Sequence, residues 1–249
     1  MGDIPRWFRV YRPVSTPRLR LICFPHAGAG ATAYRTWSEL APPDVEVVSV
    51  CYPGRQDRFL EPFAASVDAL ATAVATELAP LSGVPMALFG HSMGALVAYE
   101  VSVRLERAHA ITPRHLFVSG RWAPDRTDSR NMHLLDDDAL VAEIHRLGNR
   151  DLDVFALAEL RELMLPVLRA DYRLLSDHRR ANLDRISTSI TAYSGDRDPG
   201  CTPHDAAGWV RATSGSFDLR VFPGDHFYLV PEAEALMADL VQRLFVVGR

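Results

Sequence analysis

The feature that most constrains the fold of this chain is the alternation of two kinds of segment along its length. Apolar or β-branched runs recur at 7–11, 19–24, 45–50, 86–90, 115–120, 189–193 and 218–222. Between most of them lie segments whose apolar residues repeat with helical spacing, namely 66–81, 93–108 and 231–245. The alternation predicts an α/β fold with a mostly parallel sheet, helices on both of its faces and 7–11 as an edge strand. The nearly continuous apolar character of the runs is typical of strands that are buried on both sides.

One long segment breaks this alternation. With 48% hydrophobic residues the chain can bury one large core, so we predict a single domain over residues 1–249. Residues 123–185 indicate several short helices and no convincing strand, and Pro166 is expected to interrupt or kink one of them. About sixty residues are far more than such connections usually need. We therefore interpret 123–185 as a helical lid inserted over the carboxyl edge of the sheet; the alternative is an ordinary crossover connection.

Charge and cysteine usage exclude several classes of function. The formal net charge of −4 gives no support for binding to nucleic acid or to a membrane surface. All 27 basic residues are Arg, which excludes lysine Schiff bases and the phosphate-binding lysine of P-loops. The three cysteines are too few and too scattered for a disulfide framework or a zinc site; they are Cys23, Cys51 and Cys201.

The N-terminus lacks the apolar core of a signal peptide and no run approaches the length of a membrane span, so we expect a cytoplasmic protein.

A candidate nucleophile lies in the stretch MALFGHSMGALVAYE, residues 86–100. Ser92 stands between Gly90 and Gly94, in the Gly-x-Ser-x-Gly spacing that carries a strand into a helix through a very tight turn. Such a pattern arises by chance in roughly one sequence of this length in twenty, so its context decides. Here a predicted strand precedes Ser92 and a predicted helix follows it. The serine is thereby placed at the carboxyl end of a buried strand, where open α/β sheets bind their ligands.

A serine nucleophile needs a base, and His226 is the best placed of the nine histidines. It lies in FPGDHFYLV, in a glycine-containing loop between the strand 218–222 and the last helix. The alternative is a loop histidine that forms hydrogen bonds for structural reasons only. His91 is a weaker candidate, because a neighbour of Ser92 on a tight turn points away from it.

The acid that orients the base is expected in SITAYSGDRDPG, the loop after the preceding strand. Asp196 and Asp198 compete there. We favour Asp198, because an Asp directly after a Gly commonly forms a turn, as Asp196 would. Asp225 is too close to His226 in sequence to orient its ring. The resulting chain order Ser, Asp, His is the order of α/β-hydrolases.

Two backbone N–H groups are candidates for an oxyanion hole. Met93 follows the predicted nucleophile, and its N–H is one of them by position. Ala27 is our choice for the second, since LICFPHAGAGATAY has the form of a strand, a glycine-rich loop and a helix. A phosphate cradle is the first alternative, and it is weak because neither Rossmann spacing nor a P-loop lysine is present. The second is a loop that is rich in glycine for tight packing only.

Taken together, these motifs resemble the discrete, type II thioesterases that accompany modular polyketide and nonribosomal peptide synthases. The resemblance extends over essentially the whole chain, through FPHAGAG, YPGRQDRF, FGHSMGALVAYE, SGDRDP and GDHFYLV. GHSMG alone is shared with many esterases, whereas its combination with PHAGAG and the PGR segment is much more specific. The resemblance implies an α/β-hydrolase fold with a helical lid, and it implies a site made of Ser92, Asp198 and His226 as triad with Ala27 and Met93 as oxyanion donors.

The resemblance also implies a reaction and a partner. It implies that acyl groups are hydrolysed from the phosphopantetheine arm of acyl or peptidyl carrier proteins, which clears stalled synthase modules. The enzyme itself is expected to need no metal or bound cofactor, because the partner carries the pantetheine, and we expect a monomer. Carrier proteins tend to be acidic, so five arginines are candidates for docking them or else belong to a solvated surface: Arg121, Arg126, Arg130, Arg179 and Arg180. Arg55 is expected to brace its loop.

Seven apolar residues of the predicted lid have roughly helical spacing. Core packing explains them, while a minority that face inward would line an acyl chamber. They are Leu135, Leu140, Ile144, Phe155, Leu163, Met164 and Leu168.

Two rival functions remain open at the level of sequence. A serine esterase or lipase for small oxygen esters would use the same triad with a different pocket, and only the PHAGAG and PGR segments argue against it. A hydrolase fold used for binding alone would usually lack one member of the triad, whereas this chain supplies all three.

Overall fold

The central sheet follows the predicted alternation closely. The computed structural model describes residues 6–126, 130–148, 155, 157–179 and 183–245. Its strands are β1 (Phe8–Val10), β2 (Leu19–Phe24), β3 (Val45–Val50), β4 (Met86–His91), β5 (Leu116–Ser119), β6 (Ile190–Gly195) and β7 (Phe217–Phe222). They form one sheet in the order β1-β3-β2-β4-β5-β6-β7. Only β1 is antiparallel to its neighbour, at one edge, so the predicted mostly parallel α/β sheet is confirmed.

The helices occupy both faces of this sheet. In the described residues they are α1 (Trp37–Leu40), α2 (Val67–Leu78), α3 (Met93–His109), α4 (Asp137–Arg146), α5 (Ala158–Asp177), α6 (Pro203–Ala207) and α7 (Ala233–Phe245). Successive side chains of a strand point to opposite faces, so the strands divide between two cores. On β2, Ile22 packs into the core that α2 and α3 cover. Its neighbours Leu21 and Cys23 pack into the core that α1 and α7 cover.

Helices and loops, without a strand among the described residues, fill the connection from β5 to β6. Helices α4 and α5 pack on each other through their own apolar cluster, which includes Leu140, Ile144, Leu165 and Leu168. The expected interruption at Pro166 does not occur, since α5 runs through it. A proline inside a helix costs roughly 3 kcal/mol. Burial of the apolar side chains on either side of Pro166 offsets that cost.

The seven apolar residues singled out in this connection differ in their surroundings. Five belong to the cluster between α4 and α5 or pack against it: Leu135, Leu140, Ile144, Phe155 and Leu168. Met164 is half-buried, while the Leu163 side chain is 51% exposed. Core packing therefore explains most of the helical spacing in this region.

The turn from β4 into α3 depends on two glycines. A Cβ on Gly90 would lie 2.1 Å from the carbonyl oxygen of Gly94, within the first turn of α3. A Cβ on Gly94 would lie 2.0 Å from the carbonyl oxygen of Phe24, at the end of β2. Both obstacles are backbone atoms, which cannot move aside as a flexible side chain can. The helix can therefore start directly against the ends of β2 and β4 only because both positions lack a side chain.

We predict that Gly94→Ala lowers the free energy of unfolding by at least about 3 kcal/mol, because the methyl group must displace the α3 backbone from the end of β2. Chemical denaturation followed by circular dichroism measures this loss.

Gly83→Ala is the matched control, since a Cβ there meets nothing within 4 Å. This control is expected to be neutral or to stabilise the protein by up to about 1 kcal/mol. Similar effects of the two substitutions would contradict the steric explanation.

Candidate active site

Strand register brings the predicted site residues to one edge of the sheet. Phe24 on β2 lies opposite Gly90 on β4, and Gly195 on β6 lies opposite Phe222 on β7. Ala27 and Met93 each follow the first pair by three residues, while Asp198 and His226 follow the second pair by three and four. Because parallel strands end at the same side of a sheet, all these loops gather at its carboxyl edge.

Ser92 occupies the turn between β4 and α3 in a strained conformation. Its φ of +54° with ψ of −116° is rare for any residue other than glycine. The Ser92 N–H donates to the Ser119 carbonyl oxygen at 2.8 Å, which fixes the turn to the end of β5. The side chain is half-buried. Within the described part of the chain, the Ser92 hydroxyl forms no hydrogen bond with His226.

His226 and Asp198 form a buried pair. The Nδ1 atom of His226 lies 2.8 Å from Oδ2 of Asp198, and both residues are 4% exposed. The other carboxylate oxygen, Oδ1, accepts the N–H groups of Gly200 at 2.7 Å and Cys201 at 3.1 Å. These hydrogen bonds fix the Asp198 carboxylate in place and orient the imidazole so that Nδ1–H donates to it.

The two other aspartates near His226 have different partners. Asp196 accepts the Gly224 N–H at 2.7 Å and so closes the loop that follows β7. Asp225 accepts the Phe227 N–H at 2.9 Å. Neither carboxylate contacts the His226 ring among the hydrogen bonds of the described residues. Of the competing acids, the structure brings Asp198 to the ring.

The loop that carries His226 folds back over the ends of β5 and β6 toward the Ser92 turn. The His226 ring centroid lies 4.7 Å from that of His91, the residue before Ser92. Two glycines make room for this loop. A Cβ on Gly195 would lie 2.4 Å from the Asp225 carbonyl oxygen, and one on Gly120 would lie 3.1 Å from Cε1 of His226. The loop after β7 therefore contacts the end of β4, although the two strands are not neighbours in the sheet.

The predicted oxyanion donors lie on adjacent backbone segments. Met93 is the first residue of α3, where N–H groups have no acceptor inside the helix. The same first turn of α3 packs on the carbonyls of Phe24 and Pro25, just before Ala27. The Ala27 N–H has no acceptor in the described residues. Both N–H groups are thus available at the edge that carries Ser92.

Two further histidines, which sequence analysis did not assign to the site, flank His226. The His26 ring lies 5.9 Å from that of His91, measured between centroids. Burial, with added repulsion from His226 and Arg55, lowers the pKa of His26 to about 4. Burial, with repulsion from His226 and then His26, lowers the pKa of His91 well below its ordinary value. Both imidazoles are therefore neutral at pH 7 and add no positive charge beside His226.

His91 is held away from a role as base. It is fully buried, and its Nδ1 lies 2.9 Å from Oγ of Ser119, which in turn lies 2.6 Å from the Tyr228 hydroxyl. This hydrogen-bonded chain fixes the ring beside the Ser92 turn.

The connection between β5 and β6 reaches the site at the His226 loop. The His226 N–H donates to the carbonyl oxygen of Leu147, directly after α4, at 3.2 Å. A Cβ on Gly148 would overlap the Asp225 carboxylate, so the Gly148 backbone lies directly against the Asp225 side chain. No local sequence signal predicts this contact, because it joins groups from two separate segments.

Two negative findings concern the described residues. No group of three or more His, Cys, Asp or Glu side chains is arranged there to hold a metal ion. None of the helices described there has both the length and the apolar character needed to span a membrane.

Comparisons with known proteins give a consistent result. A family model described as a thioesterase domain matches residues 19–244. Thioesterase PikA5 of Streptomyces venezuelae is 41% identical over 245 residues, which is 98% of this chain and 87% of that protein. A "Probable cadicidin biosynthesis thioesterase" of Streptomyces griseus is 40% identical over 239 residues, which is 96% of this chain and 66% of that longer protein. Among solved structures, the type II thioesterase BorB from the borrelidin biosynthetic cluster has a TM-score of 0.87 at 38% identity and covers 98% of this chain and 99% of its own.

Two partly buried histidines predict an acid-sensitive fold. For His26, a folded-state pKa of about 4 lies below the ordinary value of 6.5, and burial likewise lowers the pKa of His115 to about 4. The unfolded chain binds more protons between these values, so stability falls as the pH is lowered from about 6.5 to about 4. Each group contributes at most about 1.4 kcal/mol per pH unit. Urea denaturation at a series of pH values measures the slope.

His115→Gln tests this prediction outside the site, because His115 lies beside β5 and bonds to Thr191. The variant is expected to show a shallower slope over the same pH range than the parent protein. Identical slopes for the two proteins would contradict the assignment.

Proposed function

The chain belongs to the thioesterase family, and we propose that it removes acyl groups from the phosphopantetheine arm of acyl or peptidyl carrier proteins. The observation that carries this proposal is the buried pair of His226 and Asp198, at the same sheet edge as the strained turn of Ser92. A relative named as a gramicidin S biosynthesis protein and the type II thioesterase BorB from a biosynthetic cluster support the choice of substrate. In this role the enzyme clears synthase modules that have stalled with the wrong acyl group.

Ser92 is the proposed nucleophile and His226 its base. A serine hydroxyl attacks a carbonyl efficiently only when a base removes its proton in the transition state. The Asp198 carboxylate holds the Nδ1–H of His226, which leaves Nε2 as the acceptor for that proton. The hydrogen bond between Ser92 and His226 forms with substrate in place, because such bonds are often long or poorly aligned in free enzymes.

The proposed reaction has two halves. In the first, Ser92 Oγ attacks the thioester carbonyl while its proton passes to His226, and collapse of the tetrahedral intermediate releases the thiol and leaves an ester on Ser92. In the second, His226 takes a proton from water, which attacks this ester and releases the carboxylic acid. The N–H groups of Ala27 and Met93 stabilise the oxyanion of each tetrahedral intermediate.

The helical connection between β5 and β6 is the proposed lid. Its helices α4 and α5 pack on each other, and the end of α4 contacts the His226 loop. We propose that this connection covers the acyl chain of the substrate bound at Ser92.

The proposed docking surface for an acidic carrier protein includes Arg126 and Arg130. Their guanidinium groups lie 4.6 and 5.0 Å from the centroid of the Trp122 ring. Arg121 lies beside the same ring but is only 6% exposed. Arg179 bonds to the Ser176 carbonyl oxygen, and Arg180 lies outside the described residues.

An esterase for small oxygen esters is the second candidate, because it would use the same triad. A binding protein without activity is a weaker one. The buried, fully hydrogen-bonded Asp198 argues against it, since a binding role alone gives no reason to orient His226.

The choice of acid predicts unequal effects of two matched substitutions. Asp198→Asn is expected to lower kcat by about 10⁴-fold, because an amide no longer fixes the imidazole tautomer that accepts the serine proton. Asp196→Asn is expected to leave kcat within about threefold of the parent enzyme, since Asp196 contacts the loop and not the ring. Steady-state hydrolysis of a thioester measures both. A large loss in Asp196→Asn with a near-normal Asp198→Asn would reverse the assignment.

The substrate proposal predicts a preference for carrier-bound thioesters. We expect kcat/KM for an octanoyl carrier protein to exceed that for p-nitrophenyl octanoate, because the carrier supplies binding energy that the small ester lacks. Ser92→Ala is expected to abolish both activities, and mass spectrometry of the parent enzyme is expected to find the octanoyl group on Ser92. A preference for the oxygen ester would favour the esterase, and hydrolysis that survives Ser92→Ala would rule out the proposed nucleophile.

A further inference from the structure

A buried ion pair joins the YPGRQDRF segment to helix α5. Both terminal guanidinium nitrogens of Arg55 bond to the carboxylate of Asp171, with Nη1–Oδ2 and Nη2–Oδ1 distances of 2.6 Å. The two side chains are 8% and 2% exposed. Neither residue contacts Ser92, Asp198 or His226 in the described hydrogen bonds. The proposed reaction assigns no role to this ion pair.

The same pair binds the loop that carries the proposed oxyanion donor. Asp171 Oδ2 accepts the N–H of Gly28 at 2.8 Å, and Arg55 Nη1 donates to the carbonyl oxygen of Ala29 at 3.1 Å. Ala27, whose N–H faces the oxyanion in the proposed mechanism, is the neighbour of Gly28. The pair therefore holds the two residues that follow Ala27, namely Gly28 and Ala29.

The geometry of this loop depends on the peptide that Asp171 binds. The Ala29 N–H donates to the His26 carbonyl oxygen at 3.1 Å, which closes a four-residue turn. Gly28 has a φ of +81° at its third position, whereas Ala27 is absent from the residues with positive φ, so the turn is of type II. Type I and type II turns differ by a flip of the central peptide. Acceptance of the Gly28 N–H by Asp171 selects the type II form.

A second contact from α5 reinforces the first. A Cβ on Gly28 would lie 2.5 Å from Cδ2 of Leu168. Leu168 and Asp171 are three residues apart on α5 and lie on the same side of that helix. The donor loop thus rests directly on this helix.

We infer that Arg55 and Asp171 are positioning residues, which fix the Ala27 N–H for the oxyanion by clamping the 26–29 turn to helix α5. This inference rests on the proposed function of Ala27. A buried ion pair contributes little to net stability, because desolvation offsets the attraction of its charges. The partners of this pair indicate a role in positioning instead. The Asp171 carboxylate, which only accepts hydrogen bonds, binds three donors: the Gly28 N–H and both terminal nitrogens of Arg55.

Asp171→Asn is the first test. In either orientation its amide NH₂ faces an Arg55 nitrogen, so one donor meets another and the pair that clamps the turn is broken. We expect kcat for an octanoyl thioester to fall at least about tenfold with KM changed by less than about twofold, since oxyanion stabilisation acts in the transition state. Affinity for octylboronic acid, which forms a tetrahedral adduct with the serine, should fall in parallel. Affinity for an octanoyl amide, which resembles the ground state, should not.

Glu46→Gln is the matched control. Glu46 is a buried carboxylate that accepts a side-chain bond from Arg20 and the Val14 N–H, far from the carboxyl edge. It therefore has the same kinds of partner as Asp171 without the donor loop. We expect its kcat and its ratio of boronic acid to amide affinity to match those of the parent enzyme.

The double substitution Arg55→Met with Asp171→Leu separates positioning from stability. Apolar replacement of a buried ion pair commonly preserves the fold, but it leaves the Gly28 N–H without an acceptor. A purely structural role predicts that kcat returns to the parent value in the double variant, which would overturn the inference. If Arg55 and Asp171 position the turn, we expect the folded double variant to keep a low kcat while its affinity for the octanoyl amide stays normal.

Failure of the inference can be told apart from failure of the proposed function. If the parent enzyme hydrolyses an oxygen ester but no thioester, the proposed function is wrong, and the ratio of boronic acid to amide affinity still tests the clamp. If the parent enzyme is active and Asp171→Asn keeps its kcat and this ratio, the clamp is wrong and the function stands.

Discussion

The close approach between the first turn of α3 and the ends of β2 and β4 is the constraint on which the rest of the site depends. Backbone atoms meet there at distances that leave no room for a side chain on Gly90 or Gly94. This contact holds the turn in which Ser92 has its positive φ and places the first N–H groups of α3 next to the loop that follows β2. It also sets the separation between Met93 and Ala27. An oxyanion hole made of two backbone segments needs such a fixed spacing.

The helical connection between β5 and β6 supports the site from two sides. The His226 N–H donates to the Leu147 carbonyl at the end of α4. The Gly28 N–H donates to the carboxylate of Asp171 on α5. The base loop and the proposed donor loop are thus fastened to the same inserted pair of helices. Any displacement of these helices is transmitted to both loops, because each bond is made to backbone.

Burial determines the charge state of two histidines near His226. Three imidazoles lie close together, yet desolvation keeps His26 and His91 uncharged at neutral pH. When His226 accepts a proton in the proposed mechanism, no neighbouring imidazolium opposes the new charge. The Asp198 carboxylate, held by two backbone N–H groups, instead faces that charge directly.

Periodicity and steric rules act between near neighbours, so the sequence was sufficient to predict the sheet and the helices that cover it, while its motifs indicated the family. The spacing of Gly90 and Gly94, with a strand before it and a helix after it, also predicted the turn at Ser92. The local pattern favoured Asp198 over Asp196, but both follow the same strand, and the contact of Asp198 with His226 is seen in the tertiary structure alone. The same holds for Pro166, where packing overrides a local preference, and for the pair of Arg55 and Asp171, which are 116 residues apart. Contacts over such distances depend on how the helices dock, which no short stretch of sequence specifies.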